Sequence, residues 1–236
     1  MSNSTHEPML PPFKTTVFLM AAVLPTLVSP ALSAAPLPVP ASLFVQPGSG
    51  RASLSAKGPT ALTIKQQTPR VTLNWNSFNI ASGHSVNFEQ PGPDATALNL
   101  IHDARPSAIL GRLSANGEIW LLNQNGIVFG RQSQTNVRGL IASSLAPNAN
   151  ALSNGIAPKP SLAYSGPAFE QARDGSGAPI PAGDIHVLQG ANIQTNDSNG
   201  RVLMMAPEIS NAGTITANDG QVALAAGTEV LSLIHI

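Results

Sequence analysis

Two heptapeptides set 20 residues apart decide what this chain can fold into: Gly200-Arg201-Val202-Leu203-Met204-Met205-Ala206 and Gly220-Gln221-Val222-Ala223-Leu224-Ala225-Ala226. A second pair, Ala191-Asn192-Ile193-Gln194-Thr195 and Gly213-Thr214-Ile215-Thr216-Ala217, repeats at an offset of 22. The two extra residues fall in the turn Asn196-Asp197-Ser198-Asn199-Gly200, which Asn218-Asp219-Gly220 makes more briefly. Short β-branched strands alternating with Asn/Gly corners at this period describe one coil of a parallel β-solenoid, stacked on the next at roughly 4.8 Å. A leucine-rich repeat would show a Leu ladder and a helix per repeat, and neither is present. An antiparallel sandwich also places turns every ten residues or so and stands as the alternative.

Strand signals continue towards the N-terminus. Val71, Leu73 and Trp75 alternate with Thr72, Asn74 and Asn76, the period of two of a half-buried strand. The phase slips at Ser77, so that Phe78 and Ile80 continue the apolar face, which predicts a bulge or a corner. Val86-Asn87-Phe88 alternates briefly and stops at Gln90-Pro91-Gly92-Pro93, where two prolines withdraw backbone donors. Asn116-Gly117 and Asn125-Gly126 bracket Ile119-Trp120-Leu121-Leu122, and Ile127-Val128-Phe129-Gly130 follows at once. Asn-Gly reaches positive φ at low cost, so each pair predicts a turn. Strands apolar on both faces belong inside a parallel or stacked architecture. The corner set Asn116, Gly117, Asn199, Gly200, Asp219 and Gly220 is read as structural, as are Asn211 and Asn218.

Composition removes several function classes. The 236 residues allow one sizeable core, or two at most. Only 10% are charged, with 12 Lys+Arg against 12 Asp+Glu, so no surplus of positive charge is available for phosphates and no nucleic-acid partner is expected. Twenty Gly, 21 Pro and few aromatics suit many short strands better than a helical bundle. With no cysteine there is no disulfide framework, thiolate metal site or Cys nucleophile.

The N-terminus has the order of a secretory signal. Lys14 precedes the apolar run Val17 to Leu24, and the small residues Ala31, Ser33, Ala34 and Ala35 follow. That run is shorter than the ~20 residues a bilayer span needs. Residues 1–35 are expected to be a signal peptide, 36–59 a proline-rich leader and 60–236 the solenoid domain. From Pro147 to Gly183 prolines recur and apolar residues scatter, which predicts a surface excursion that leaves the solenoid and returns, without a core of its own.

Four blocks now carry a resemblance. Asn74-Trp75-Asn76-Ser77-Phe78-Asn79-Ile80, Val86-Asn87-Phe88-Glu89-Gln90-Pro91, Ala108 to Gly117 and Leu121 to Gly130 stand in an order that closely resembles the N-terminal secretion domain of filamentous-haemagglutinin-like exoproteins. This is the haemagglutination-activity, or two-partner secretion, domain, and the likeness covers about residues 60 to 230. It implies an all-β fold: a right-handed, single-stranded parallel β-helix with an N-terminal cap and an extra-helical loop. It also implies a secretion domain that directs a large adhesin or toxin through an outer-membrane β-barrel transporter, in a protein secreted or displayed at the cell surface via the periplasm of a Gram-negative bacterium. Host-cell or glycan receptors would be met by regions downstream, since the chain reads as a fragment of a longer exoprotein. The family's Asn-Pro-Asn-Gly signature appears here as Asn123-Gln124-Asn125-Gly126, and the resemblance gives these four residues a role in transporter recognition. Its second signature, Asn-Pro-Asn-Leu, is not found intact. If the corner is purely structural, Gly126→Ala should cost most and Asn123→Ala little.

No enzyme, cofactor or metal site is expected. Parallel β-helices host polysaccharide-binding and polysaccharide-degrading proteins, which makes these the alternative function class. Candidate acids are Asp94, Asp103, Asp184, Asp197 and Asp219, with His84, His102 and His186 as candidate bases. None recurs at the coil offset in a way that would stack two carboxylates. Asp184 and His186 share a strand face but make only two ligands, where zinc needs three or four. Trp75, Phe78, Trp120 and Phe129 lie beside Ile and Leu and are expected in the core rather than on a glycan-stacking platform.

Overall fold

The computed structural model describes residues 36–154 and 167–230, so the expected signal peptide at residues 1–35 lies outside the described residues. Alternation and corners combine as the repeat requires. The chain winds through three sheets; each turn contributes one strand to the first and third, and four of the turns contribute one to the second. The first sheet stacks Arg70–Ser77, Thr96–Ile101, Glu118–Asn123, Gly139–Ser143, Arg201–Ala206 and Gln221–Ala226 in parallel. The second holds the short strands Ser107–Ile109, Ile127–Phe129, Ile185–Val187 and Ile209–Asn211. The third runs Ala61–Gln66, Ser85–Glu89, Arg112–Ala115, Gln134–Val137, Asn192–Thr195 and Thr214–Thr216. This is a parallel β-solenoid of about six turns. Among the described residues only Ala149–Asn154 is helical.

The repeats are the register. Arg201 pairs with Gln221 and Ala206 with Ala226, an offset of 20, while Asn192 pairs with Thr214, an offset of 22. Alternate residues therefore form unbroken columns: Val71, Ala97, Ile119, Leu140, Val202 and Val222 stack inward at one level of the first sheet. Trp75, Phe78 and Phe129 are fully buried in this interior. The phase slip at Ser77 is a corner: the strand ends there, and Ile80 makes an isolated parallel bridge to Ile109.

Residues 36–59, expected as a leader ahead of the domain, instead supply its cap. Val39–Val45 pairs antiparallel with Arg70–Ser77, and Ala52–Ala56 antiparallel with Ala61–Gln66. Phe44 packs edge-on against Trp75 with ring centroids 5.0 Å apart, closing the N-terminal end of the core. Pro40 is tolerated because an edge strand needs donors on one side only.

The segment between Ser143 and Ile185 adds no strand to the three stacked sheets among its described residues, and several of these are well packed. Its strands Ala146–Pro147 and Phe169–Glu170 join Glu229–Val230 in a small antiparallel sheet. Phe169 is fully buried against the outward face of the first sheet, where Trp120 also lies. Trp120 is thus buried outside the solenoid interior, in a second apolar cluster.

Candidate functional site

The corner Asn123–Gly126 forms where a strand buried on both faces meets the short second sheet. Glu118–Asn123 delivers Asn123 at the inward level already held by Trp75 and Ile101 in the preceding turns. A carboxamide buried there needs partners. It has them: Nδ2 donates to the Arg105 carbonyl (3.1 Å) and to the Ser107 hydroxyl (2.9 Å), and Oδ1 accepts from the Asn125 N–H (2.9 Å). The Gly126 N–H donates to the Asn123 carbonyl (2.9 Å), which closes a four-residue turn. Gly126 has φ +98°, and a Cβ there would collide with the Asp184 carbonyl oxygen.

The corner fastens three successive turns. Below it, Asn125 Nδ2 donates to the Asp103 carbonyl (2.8 Å); above it, the Gln124 carbonyl accepts from the Gly183 N–H (2.7 Å). The Ile127 N–H donates to the Asp184 carbonyl (3.1 Å). Asn123 and Gly126 are buried, Gln124 is half-buried and Asn125 is exposed. Only the middle two side chains of the four reach the surface. Arg105, 65% exposed, stands beside them with Nε 3.4 Å from the Asp103 carboxylate.

The other predicted corners divide by mechanism. Gly117 does not take positive φ; its place is fixed by close approach, because a Cβ would stand 2.5 Å from the Ala95 carbonyl oxygen. Its neighbour Asn116 clamps the Gln90 backbone, with Oδ1 accepting from N–H (2.8 Å) and Nδ2 donating to the carbonyl (2.9 Å). In the Asn199-Gly200 and Asp219-Gly220 turns the left-handed residue is the one before glycine, with φ 58° and 47°. Sequence reasoning passed over Gln66, Gln90 and Asn99, whose buried amides join neighbouring turns: Gln90 Nε2 donates to Gln66 Oε1 (2.9 Å), and Asn99 Oδ1 accepts from the Trp75 indole (2.9 Å). The 24-residue spacing of Gln66 and Gln90, equal to the register offset of their strands, was the available signal for that pair; Asn99 lies in register with Leu73 and had none.

The candidate acids and bases are dispersed. Asp103 pairs with Arg105 and Asp197 with Arg138, while His102 Nε2 meets Asn74 Oδ1 (3.2 Å) and His186 Nδ1 meets the Ser210 hydroxyl (2.7 Å). Among the described residues no three His, Asp or Glu gather as a metal site.

The geometry is that of a capped parallel solenoid with one densely bonded corner. Residues 46–236 match the family model of the TPS secretion domain, and the chain belongs to that family, the two-partner secretion domains of exoproteins. Two curated relatives are heme/hemopexin-binding proteins of Haemophilus influenzae, 37% identical over 112 residues and 39% identical over 83. These matches cover 48% and 35% of this chain but only 12% and 9% of the relatives. The crystal structure of the HMW1 secretion domain from Haemophilus influenzae shares the fold, with a TM-score of 0.65 at 24% identity over 78% of this chain and 44% of that one. The family is non-enzymatic, its exoproteins are secreted from Gram-negative bacteria, and a domain of this kind implies a partner transporter in the outer membrane.

Proposed function

We propose that this domain leads an adhesin- or toxin-type exoprotein through the periplasm to its outer-membrane β-barrel transporter, and that the transporter reads the Asn123–Gly126 corner through Gln124 and Asn125. The observation that carries this reading is the division of labour within the corner: Asn123 and Gly126 are buried in internal bonds, whereas Gln124 and Asn125 reach the surface, Asn125 with its Nδ2 on the Asp103 carbonyl and the rest of its carboxamide outward. The absence of cysteine suits a chain that crosses unfolded, since no disulfide can lock it. Folding outside adds turn on turn, each burying apolar surface at about 25 cal/mol per Å², and this biases the chain outward without ATP.

Co-expression with a cognate transporter should place the domain in the medium, and without the transporter it should stay cell-associated. Gln124→Ala and Asn125→Ala should cut secretion while leaving the melting temperature of the purified domain within a few degrees of wild type. Gln124→Pro should preserve secretion, because the Gln124 N–H makes no hydrogen bond among the described residues and proline suits the second position of a turn. Secretion that tracks stability across these variants would remove the corner from transporter recognition.

A further inference from the structure

The outward face of the first sheet carries an apolar column that a solvated sheet would not keep. Leu98, Trp120, Ile141 and Leu203 stack at one level through four turns, all of them buried. Two limbs of the excursion cover them: Leu145 and Ala151 come from the outgoing limb, Ala168 and Phe169 from the returning one. The Phe169 ring lies 6.1 Å from that of Trp120. The returning limb is held on its far side by a segment about 60 residues later: Phe169 pairs with Val230, the Ala168 N–H donates to the Val230 carbonyl (2.8 Å), and the Gln171 N–H donates to that of Thr228 (3.1 Å).

A polar chain runs alongside. The Trp120 indole N–H donates to Glu118 Oε1 (2.7 Å), and Glu118 Oε2 takes Arg201 Nε (2.7 Å) from two turns further on. Arg70, in the first full turn, donates from Nη2 to the Leu152 carbonyl of the short helix (2.8 Å). Burial lowers the Arg70 pKa from its ordinary value, and the Glu118 carboxylate acts in the opposite sense. The covering limbs are therefore tied to early turns through Arg70, and to late ones through Val230 and the Leu203 and Met205 side chains of the Arg201–Ala206 strand.

We propose that the excursion is a completion latch: its two limbs dock on the outward face only once the turns that carry Arg201 and Val230 have folded. Without Val230 the returning limb keeps, beside its side-chain packing, only the two-residue pairing with Ala146–Pro147 and the Asn148 bonds to Pro167 and Ala168, and a lone two-stranded ribbon is marginal in water. Until then Trp120, Leu203 and Met205 lack their cover on the outward side. The latch itself is independent of the export reading; its use as a signal that the emerging domain is complete rests on that reading.

Hydrogen exchange on the purified full chain tests it, comparing wild type with V230D and the milder V230A. The readout is the outgoing limb, residues 146–152, which makes no pairing with Glu229–Val230 itself. Exchange there should rise on the order of tenfold in V230D, and less in V230A, while Thr96–Ile101 and Glu118–Asn123 keep wild-type protection. Unchanged exchange at 146–152 in V230D would overturn the latch, because the limbs would then dock without the late strand. Equal loss of protection in the limb and in the solenoid strands, persisting in V230A, would also overturn it, by showing one global transition. Neither result depends on a transporter, so each is separable from failure of the secretion assay.

Discussion

Asn123 shows how burial changes the meaning of a signature residue. The sequence pattern alone made Asn123→Ala a mild change in a purely structural corner, but its carboxamide is enclosed and bonded to Arg105, Ser107 and Asn125. Truncation would strand the buried Ser107 hydroxyl and take away the acceptor of the Asn125 N–H, and an unpaired buried group costs about 1 to 3 kcal/mol. Asn123→Ala is therefore expected to lower stability by about 2 kcal/mol or more whether or not a transporter reads the corner. Gly126→Ala should also destabilise, by at least ~1 kcal/mol, since it combines strained φ with a collision at the Asp184 carbonyl. Urea titrations of the two variants check both figures, and an Asn123→Ala midpoint equal to wild type would contradict the bonded geometry. For secretion experiments, the informative positions are Gln124 and Asn125.

At the scale of strands, what was legible is what repeats in register. Gly200–Ala206 and Gly220–Ala226 look alike because the second pairs with the first residue for residue, so the same inward column selects Val202 and Val222. The corner at Phe78 was legible for a related reason, since losing one step of alternation leaves the strand no straight continuation. The cap was not: Val39–Val45 pairs across two register shifts and leaves Val39 and Leu43 exposed, so no alternation marks it as a strand. Nor was the cover over Trp120, whose partners Phe169 and Val230 lie far along the chain, in strands of two residues. One strand also departs from its column. Leu62, Val86, Leu113, Thr135, Ile193 and Ile215 face inward in the third sheet, and the Thr135 hydroxyl is buried there without a hydrogen-bond partner. Thr135→Val keeps the shape and removes the unpaired group, so it should raise stability by about 1 kcal/mol. The urea midpoint should move up with the slope unchanged; a fall would mean that the hydroxyl is satisfied.

Taken whole, the molecule spends its sequence on strands and corners. The purified domain should give a far-UV dichroism spectrum dominated by β-structure, and more than about a fifth helix would be incompatible with a fold whose one described helix has six residues. Charge contributes little at this scale, with 12 basic and 12 acidic groups in 236 residues. The register between the last two long strands of the first sheet sets a rule for length. Excising residues 201–220 as one block would join Gly200 to Gln221 and seat Val222 over Leu140, with every inward side chain still inward. Removing an odd number of residues from within a strand would instead turn its remainder inside out. Whole turns are thus the natural increments of gain and loss, yet the block excision would draw Glu229–Val230 one strand spacing, about 4.8 Å, along the axis from its partner Phe169. The small antiparallel sheet is a ruler: it tolerates one number of turns between Ser143 and Val230, and a longer or shorter relative must shift the excursion to match.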